Sequence, residues 1–273
     1  QADEPSARHR RDDTDGGSGS GSGSGIGSGI GDASCIDNSS STSSEAILWV
    51  LCDTNESLTT YCDDCMSENF TLTINGGGSG SGSGSVWTDF QFDHSIHGTG
   101  GTLSVTGITL FTDTIDGYAL YSKVTRVHLS NLVIEGYSGR GTEKAGGALR
   151  IRATDYCSVT TPAAVNVTVQ NNCRGFRIQD TQCPRVVSCR AENNTDNSFY
   201  FASGSYKSDA GCDDGVFEDC VAINSGQSGF MFIGGTNQTM TGCTVDGSVG
   251  AGIVVYNTND TVRIEDRVVS GEN

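Results

Sequence analysis

The sequence predicts an all-β fold, a parallel β-helix with turns of about 23 residues, preceded by a small cysteine-containing cap. Three observations predict it. Glycine is abundant at 38 residues and proline scarce at 3, which suits tight turns between many short strands better than a helical bundle. Short apolar segments recur at a near-constant interval. Within each, large apolar residues alternate with polar ones, the period-2 pattern of a strand with one buried face.

Residues 1–34 have no apolar periodicity and are mostly Gly, Ser and Asp, so a flexible tail is expected there. RHRR (Arg8–Arg11) resembles a furin-type processing site, and a solvated tail is the simpler reading. With neither an initiator Met nor a signal peptide, the chain reads as mature or excised from something larger. Residues 35–70 hold Cys35, Cys52, Cys62 and Cys65. Their spacing admits zinc, but three glycosylation sequons lie among them, which favours two disulfides in one of three connectivities. The capping box Thr42-Ser43-Ser44-Glu45 ahead of AILWVLC predicts a short helix covering the open edge of the strands that follow.

Residues 71–273 repeat. GITL (Gly107), NLVIEG (Asn131), NVTVQNN (Asn166), CRAENN (Cys189), CVAINS (Cys220), CTVDGS (Cys243) and RVVSG (Arg267) begin 24, 35, 23, 31, 23 and 24 residues apart. A second set follows the first six after a polar turn: GYALY (Gly117), GALRI (Gly147), GFRI (Gly175), SFYF (Ser198), GFMFI (Gly229) and GIVVY (Gly252). One such turn cannot bury its apolar face alone, so stacked turns must share a core, like above like. Phe176, Phe199, Phe230 and Ile253 would form one interior column and Ile178, Phe201, Phe232 and Val255 the next. Cys189, Cys220 and Cys243 would stack as small residues, readable as free thiols. Asn171, Asn194 and Asn224 would form a side-chain amide ladder at a turn.

On FEDCVAINSGQSGFMFIGG (Phe217–Gly235) and MTGCTVDGSVGAGIVVY (Met240–Tyr256), the chain resembles the right-handed parallel β-helix superfamily, the pectin-lyase-like proteins, over residues 70–273. The resemblance implies the fold and leaves function open, because that superfamily contains lyases, hydrolases, epimerases, adhesins and structural proteins.

A polygalacturonase resemblance would place catalysis on Asp196, Asp213 and Asp214, since inverting hydrolysis needs an acid and a carboxylate-activated water. The pattern then departs: Gly226-Gln227-Ser228-Gly229 lacks the family's His, and Val262-Arg263-Ile264-Glu265 has Glu where Lys is expected. For a lyase or epimerase, His94 and His97 lack a third metal ligand, and His128 reads as a solvated strand residue. The sequence therefore leans away from an enzyme, and no metal or cofactor is expected. Seven of the 13 arginines fall between 140 and 190. Arg150 and Arg177 would project outward on adjacent turns with Tyr200 next, a surface for a sulfated or uronic glycan. The alternative is an outward face paired with Asp180 and Glu192.

The net charge of −17 opposes nucleic acid and anionic membranes. AILWVLC is too short to cross a bilayer. Sequons at Asn38, Asn55, Asn69, Asn166, Asn193, Asn237 and Asn259, with 11 cysteines, point to an oxidising secretory route and N-glycosylation. GGSGSGSGSG (Gly16) follows the acidic Asp12–Asp15, and GGGSGSGSGS (Gly76) reads as a loop thrown out of one turn. Their Ser18, Ser20, Ser22, Ser24, Ser79, Ser81, Ser83 and Ser85 are candidate O-glycan carriers. The expectation is a secreted, glycosylated structural protein of an extracellular fibre, surface appendage or matrix. Its last turn is left open for head-to-tail contact with copies of itself. The alternative is a polysaccharide-active enzyme or a glycan-binding module on the same scaffold.

Overall fold

The computed structural model describes residues 36–41, 45–51, 71–76, 85–87, 91–92, 102–111, 118–122, 126–137, 147–152, 163–202, 212–256 and 262–270. Among the described residues two sheets, of 16 and 7 strands and parallel except for one N-terminal strand, enclose one apolar core. From residue 176 onward each coil contributes three short strands. The first face stacks Arg185–Val187, Val216–Glu218, Gln238–Thr241 and Val262–Glu265 in register. The second stacks Arg190–Glu192, Val221–Ile223, Thr244–Asp246 and Val268–Ser270. The third face is the smaller sheet. It stacks Phe176–Gln179, Phe199–Ala202, Phe230–Ile233 and Ile253–Tyr256, and runs back through Gly147–Arg152 and Tyr118–Ser122 to Gln91–Phe92.

The corners explain how such short strands turn. Between the first and second faces each coil spends one residue in the left-handed region: Gly107, Asn131, Asn166, Ser188, Asp219, Gly242 and Asp266, with φ from 45° to 68°. Only Gly, and to a lesser degree Asn and Asp, enters that region cheaply, and those types fill all but one of these rungs. The corner after the second face uses Gly136, Asn171, Asn193, Asn224 and Gly247 in the same way. There the Asn224 side-chain amide donates to Asn193 Oδ1 at 2.9 Å. The expected ladder of Asn171, Asn194 and Asn224 is thus off by one residue at its middle rung. Asn193 takes the left-handed turn and stays exposed, so the next residue, Asn194, points inward at 1 % exposure. Its Nδ2 donates to the Val169 carbonyl at 3.4 Å, and its Oδ1 accepts the Asn172 N–H at 3.2 Å.

The interior columns lie where the alternation placed them. Phe176, Phe199, Phe230 and Ile253 are in register, with ring centroids 4.8 Å and 4.6 Å apart along the three phenylalanines. Ile178, Phe201, Phe232 and Val255 form the second column, although Val255, on the last described coil, is 45 % exposed. Phe217 of the first face reaches across to Phe201 at 3.8 Å and locks the two sheets together. Cys189, Cys220 and Cys243 stack as buried free thiols, each directly after a left-handed corner residue.

The N-terminal segment corrects one expectation. AILWVLC does not form a helix: Glu45–Val50 is a strand, parallel and in register with Thr71–Gly76. A ready edge and alternating side chains, Leu48 buried beside the partly exposed Trp49, override the local capping signal. The edge is covered by the antiparallel strand Ile36–Ser41 instead, so part of residues 35–70 continues the large sheet. Cys35, Cys52, Cys62 and Cys65 lie outside the described residues. Cys183 is in a disulfide, which spacing alone did not reveal.

Cys212 is fully buried, with its thiol donating to the Ile178 carbonyl at 3.4 Å. Burial pushes its pKa up to about 12 from the ordinary 9.0. The folded thiol therefore keeps its proton while the unfolded one loses it. Stability is intact below pH 9 and falls by about 1.4 kcal/mol per pH unit as pH rises from 9 toward 12. Urea midpoints across that range should fall more steeply for the native protein than for Cys212→Ala; equal slopes would refute the assignment.

Candidate functional site

Among the described residues, the outer surface of the smaller sheet carries a concavity. Register aligns Arg150, Arg177, Tyr200, Met231 and Val254 as one outward column, which is the expected placement of Arg150, Arg177 and Tyr200. A groove of about 260 Å³ opens beside it, lined by Arg174, Arg177, Asp196, Asn197, Tyr200, Gln227 and Met231. The column comes from strand alternation. The remaining lining comes from the corner that leads from the second face into the smaller sheet.

Arg177 is held by neutral groups. Arg177 Nε donates to Gln179 Oε1 at 2.9 Å, and Arg150 Nε donates to the same oxygen at 3.1 Å. Arg177 Nη1 donates to the Tyr118 hydroxyl at 3.3 Å, and Arg174 Nη1 reaches the same hydroxyl at 3.4 Å. The Arg177 guanidinium lies over the Tyr200 ring at 5.1 Å from its centroid, and Arg150 over Tyr118 at 5.8 Å. The expected pairing of this face with Glu192 does not occur, because Glu192 is taken by Arg190 at 2.8 Å on the second face. Among the described residues no carboxylate lies within ion-pair distance of Arg177.

Arg174 differs. Its Nε donates to Asp196 Oδ2 at 2.8 Å. Burial by itself opposes its charge, but the bonds to Asp196 and Tyr118 outweigh that and hold its pKa above the ordinary value. Asp196 Oδ1 also accepts the Asn197 backbone N–H and side-chain amide, both at 2.8 Å. Its carboxylate is thereby a structural acceptor that sets the corner.

The structure does not bring the three candidate acids together. Asp196 precedes the strand Phe199–Ala202, whereas Asp213 and Asp214 follow it, on the opposite edge of the smaller sheet. Asp213 Oδ1 accepts the Thr236 N–H and hydroxyl at 2.9 Å, and Asp214 Oδ1 accepts the Asn237 amide at 2.7 Å. All three carboxylates bind neighbouring groups of their own coil or the adjacent one, so no pair flanks a shared site for a glycosidic bond. His128 sits in the large sheet, on Arg126–Glu135, and His94 and His97 lie outside the described residues. Arg263 of the VRIE segment is paired with Glu265.

Among the sequons, Asn166, Asn193 and Asn237 are exposed left-handed residues on three different corners. Asn166 Nδ2 donates to Asn131 Oδ1 at 2.7 Å. A sugar on such a nitrogen leaves it one N–H for that bond. Asn38 lies in the strand Ile36–Ser41, while Asn55, Asn69 and Asn259 fall outside the described residues. So do Ser18, Ser20, Ser22, Ser24, Ser79, Ser81 and Ser83, whereas Ser85 opens the strand Ser85–Trp87. Sequence reasoning counted Arg174 in the arginine cluster without placing it at the site, and missed Asn197, Gln227 and Met231. Met231 was within reach, because it continues the outward column between Phe230 and Phe232; the corner residues obey no alternation.

No curated protein and no solved structure matches the chain. A family model described as a right handed beta helix region matches residues 115–269, which span the groove, both Phe columns and the thiol stack. On that match and on the parallel coils, the chain belongs to the right handed beta helix family.

Proposed function

We propose that this chain is a secreted, N-glycosylated scaffold that binds an acidic polysaccharide in the groove of its smaller sheet. One observation carries the reading. Arg177 presents a guanidinium with only neutral partners, stacked on Tyr200, at the wall of an open groove. A carboxylate or sulfate can bond the guanidinium while the sugar ring packs on the aromatic face. Arg150 adds positive charge beside Arg177, while Arg174 is balanced by its ion pair with Asp196, so the local excess is set against a net charge of −17 by Arg150 and Arg177. A non-catalytic role is the reading that the hydrogen-bonded carboxylates of Asp196, Asp213 and Asp214 support. Secretion and glycosylation are supported by the exposed corner sequons and the Cys183 disulfide.

Affinity electrophoresis of the glycoprotein through gels containing polygalacturonate, heparin or neutral glucan tests this. Retention should be confined to the anionic gels, weaken with salt, and drop in Arg177→Ala. Retention that is equal in wild type and variant would overturn the reading. Assembly with copies of itself into a fibre is the companion proposal, for which the exposed apolar residues Trp49, Leu51 and Val249 offer contact surface. Sedimentation of a concentration-independent monomer would remove it.

A further inference from the structure

The core holds a second organised group of chemistry-bearing side chains, separate from the groove. Between the first and second faces, register defines a column of rungs: Val167, Cys189, Cys220, Cys243 and Arg267. The three sulfurs are free and at most 1 % exposed. Cys220 stands on the rung between the Cys189 and Cys243 thiols, with both within interaction range of its sulfur. Each thiol also lies against backbone carbonyls: Cys189 on Val187 at 3.3 Å, Cys220 on Glu218 at 3.3 Å, and Cys243 on Thr241 at 3.5 Å. This is a row of three sulfurs along the helix axis in an apolar surround.

The spacing of a row decides what it can do. In-register parallel strands lie about 4.8 Å apart, and equivalent Cβ atoms share that spacing. A disulfide needs Cβ atoms roughly 3.5–4.5 Å apart, so adjacent rungs are a poor fit for a direct S–S bond. Two metal–sulfur bonds of about 2.3 Å laid end to end span about 4.6 Å, close to one coil. Among the described residues no three His, Cys, Asp or Glu side chains converge on one point, as a tetrahedral or octahedral ion would require. A two-coordinate ion has no such requirement, and thiolate is the ligand that soft cations prefer.

We propose that Cys189, Cys220 and Cys243 form a binding site for monovalent d10 cations of the copper(I) and silver(I) class, with Cys220 as the shared bridging ligand. One cation enters between Cys189 and Cys220 and another between Cys220 and Cys243. Three S–H bonds break and three protons leave to solvent. Four metal–sulfur bonds form, no electrons are transferred, and the filled S–M–S–M–S row carries a single negative charge. Arg267 occupies the next rung by register and is exposed. Because the sulfurs are shielded, uptake requires local opening of the coil and is slow. The role is distinct from the groove, so the site stands whether or not the groove binds glycan.

The test uses the full reduced chain and silver nitrate in chloride-free buffer. Uptake is read by thiolate-to-silver absorbance and native mass spectrometry. Unfolding in iodoacetamide followed by peptide mapping then shows which thiols silver protected. Cys189, Cys220 and Cys243 should be protected together, and the native protein should bind two more silver ions than Cys220→Ser. Cys189→Ser and Cys243→Ser should each lose one ion, which keeps the proposal decidable if the Cys220 variant does not fold. Protection of Cys189 and Cys243 persisting in folded Cys220→Ser would overturn the shared-ligand site. So would silver retained by Cys212 or Cys173 while the three ladder thiols alkylate. Oxidised glutathione joining Cys220 to a neighbour in a disulfide would also overturn it, because the spacing argument would then be wrong.

Discussion

Replacing Phe199 by alanine is expected to cost the protein about 3–5 kcal/mol, the range for removing a buried phenylalanine from a packed core. The upper part of that range is the expectation, and the reason is geometric. Phe199 lies between Phe176 and Phe230 at 4.8 Å and 4.6 Å, with interplanar angles of 5° and 3°, and all three rings are fully buried. Collapse into the vacated space would have to bring coils closer along the axis. The backbone forbids it: Phe199 N–H donates to the Gly229 carbonyl at 2.9 Å and Phe176 N–H to the Ser198 carbonyl at 2.8 Å, so coil spacing is already set by hydrogen bonds. The cavity therefore stays open. In a stacked-repeat protein, stability is the sum of unit terms and nearest-neighbour interfaces, and this one residue serves two interfaces. Urea unfolding should show a large drop in midpoint, whereas Tyr256→Ala, 62 % exposed, should change the unfolding free energy by no more than about 0.5 kcal/mol. A loss below about 1 kcal/mol for Phe199→Ala would mean that the phenylalanine column is not close-packed.

The same contrast between faces and corners explains how much the sequence disclosed. The smaller sheet was legible because FYFA and FMFI carry two large inward residues each, enough to display the alternation. The second face was legible through its repeated small residue and polar turn. The first face was not. Its strands Arg185–Val187 and Val216–Glu218 each point one large residue inward, Val186 and Phe217, and one residue has no period. They also join the second face through a single left-handed residue, so two strands read as one segment. The middle rung of the amide ladder was misplaced for a related reason. Asn193 and Asn194 are chemically identical, and only the backbone, with φ of 52° at Asn193, decides which faces water. The groove divides in the same way. Arg150, Arg177 and Tyr200 follow from strand alternation, whereas Arg174, Asp196, Asn197 and Gln227 are positioned by corner hydrogen bonds that alternation does not encode.

Those corner bonds make Gly226 the position where stability and the groove are coupled most tightly. A Cβ on Gly226 would stand 2.2 Å from the Thr195 carbonyl oxygen and 2.5 Å from its carbon, both backbone atoms of the coil beneath. Neither can rotate away as a side chain can. The approach is close because Gly226 N–H donates to the Asn194 carbonyl at 2.7 Å, one rung inside the clash. Gly226→Ala must therefore push two coils apart locally or give up that bond. Overpacking of this kind costs about 1–3 kcal/mol, and loss of the buried bond adds about 1 kcal/mol or more. The displacement has a second readout. Gln227 N–H donates to the Asp196 carbonyl at 3.3 Å and Ser228 N–H to Asn197 Oδ1 at 3.2 Å, so the moved segment is bonded directly to the groove wall. Retention in polygalacturonate gels should weaken in Gly226→Ala even at temperatures where the variant is fully folded. Gly215→Ala is the contrasting variant, because its Cβ would meet side chains rather than backbone, the Phe217 ring at 3.3 Å and Pro184 Cγ at 3.5 Å, none of them lining the groove, and it should keep retention near the native value. A folded Gly226→Ala protein with native retention would show that the corner does not position the binding surface. The groove would then owe its shape to the strands alone.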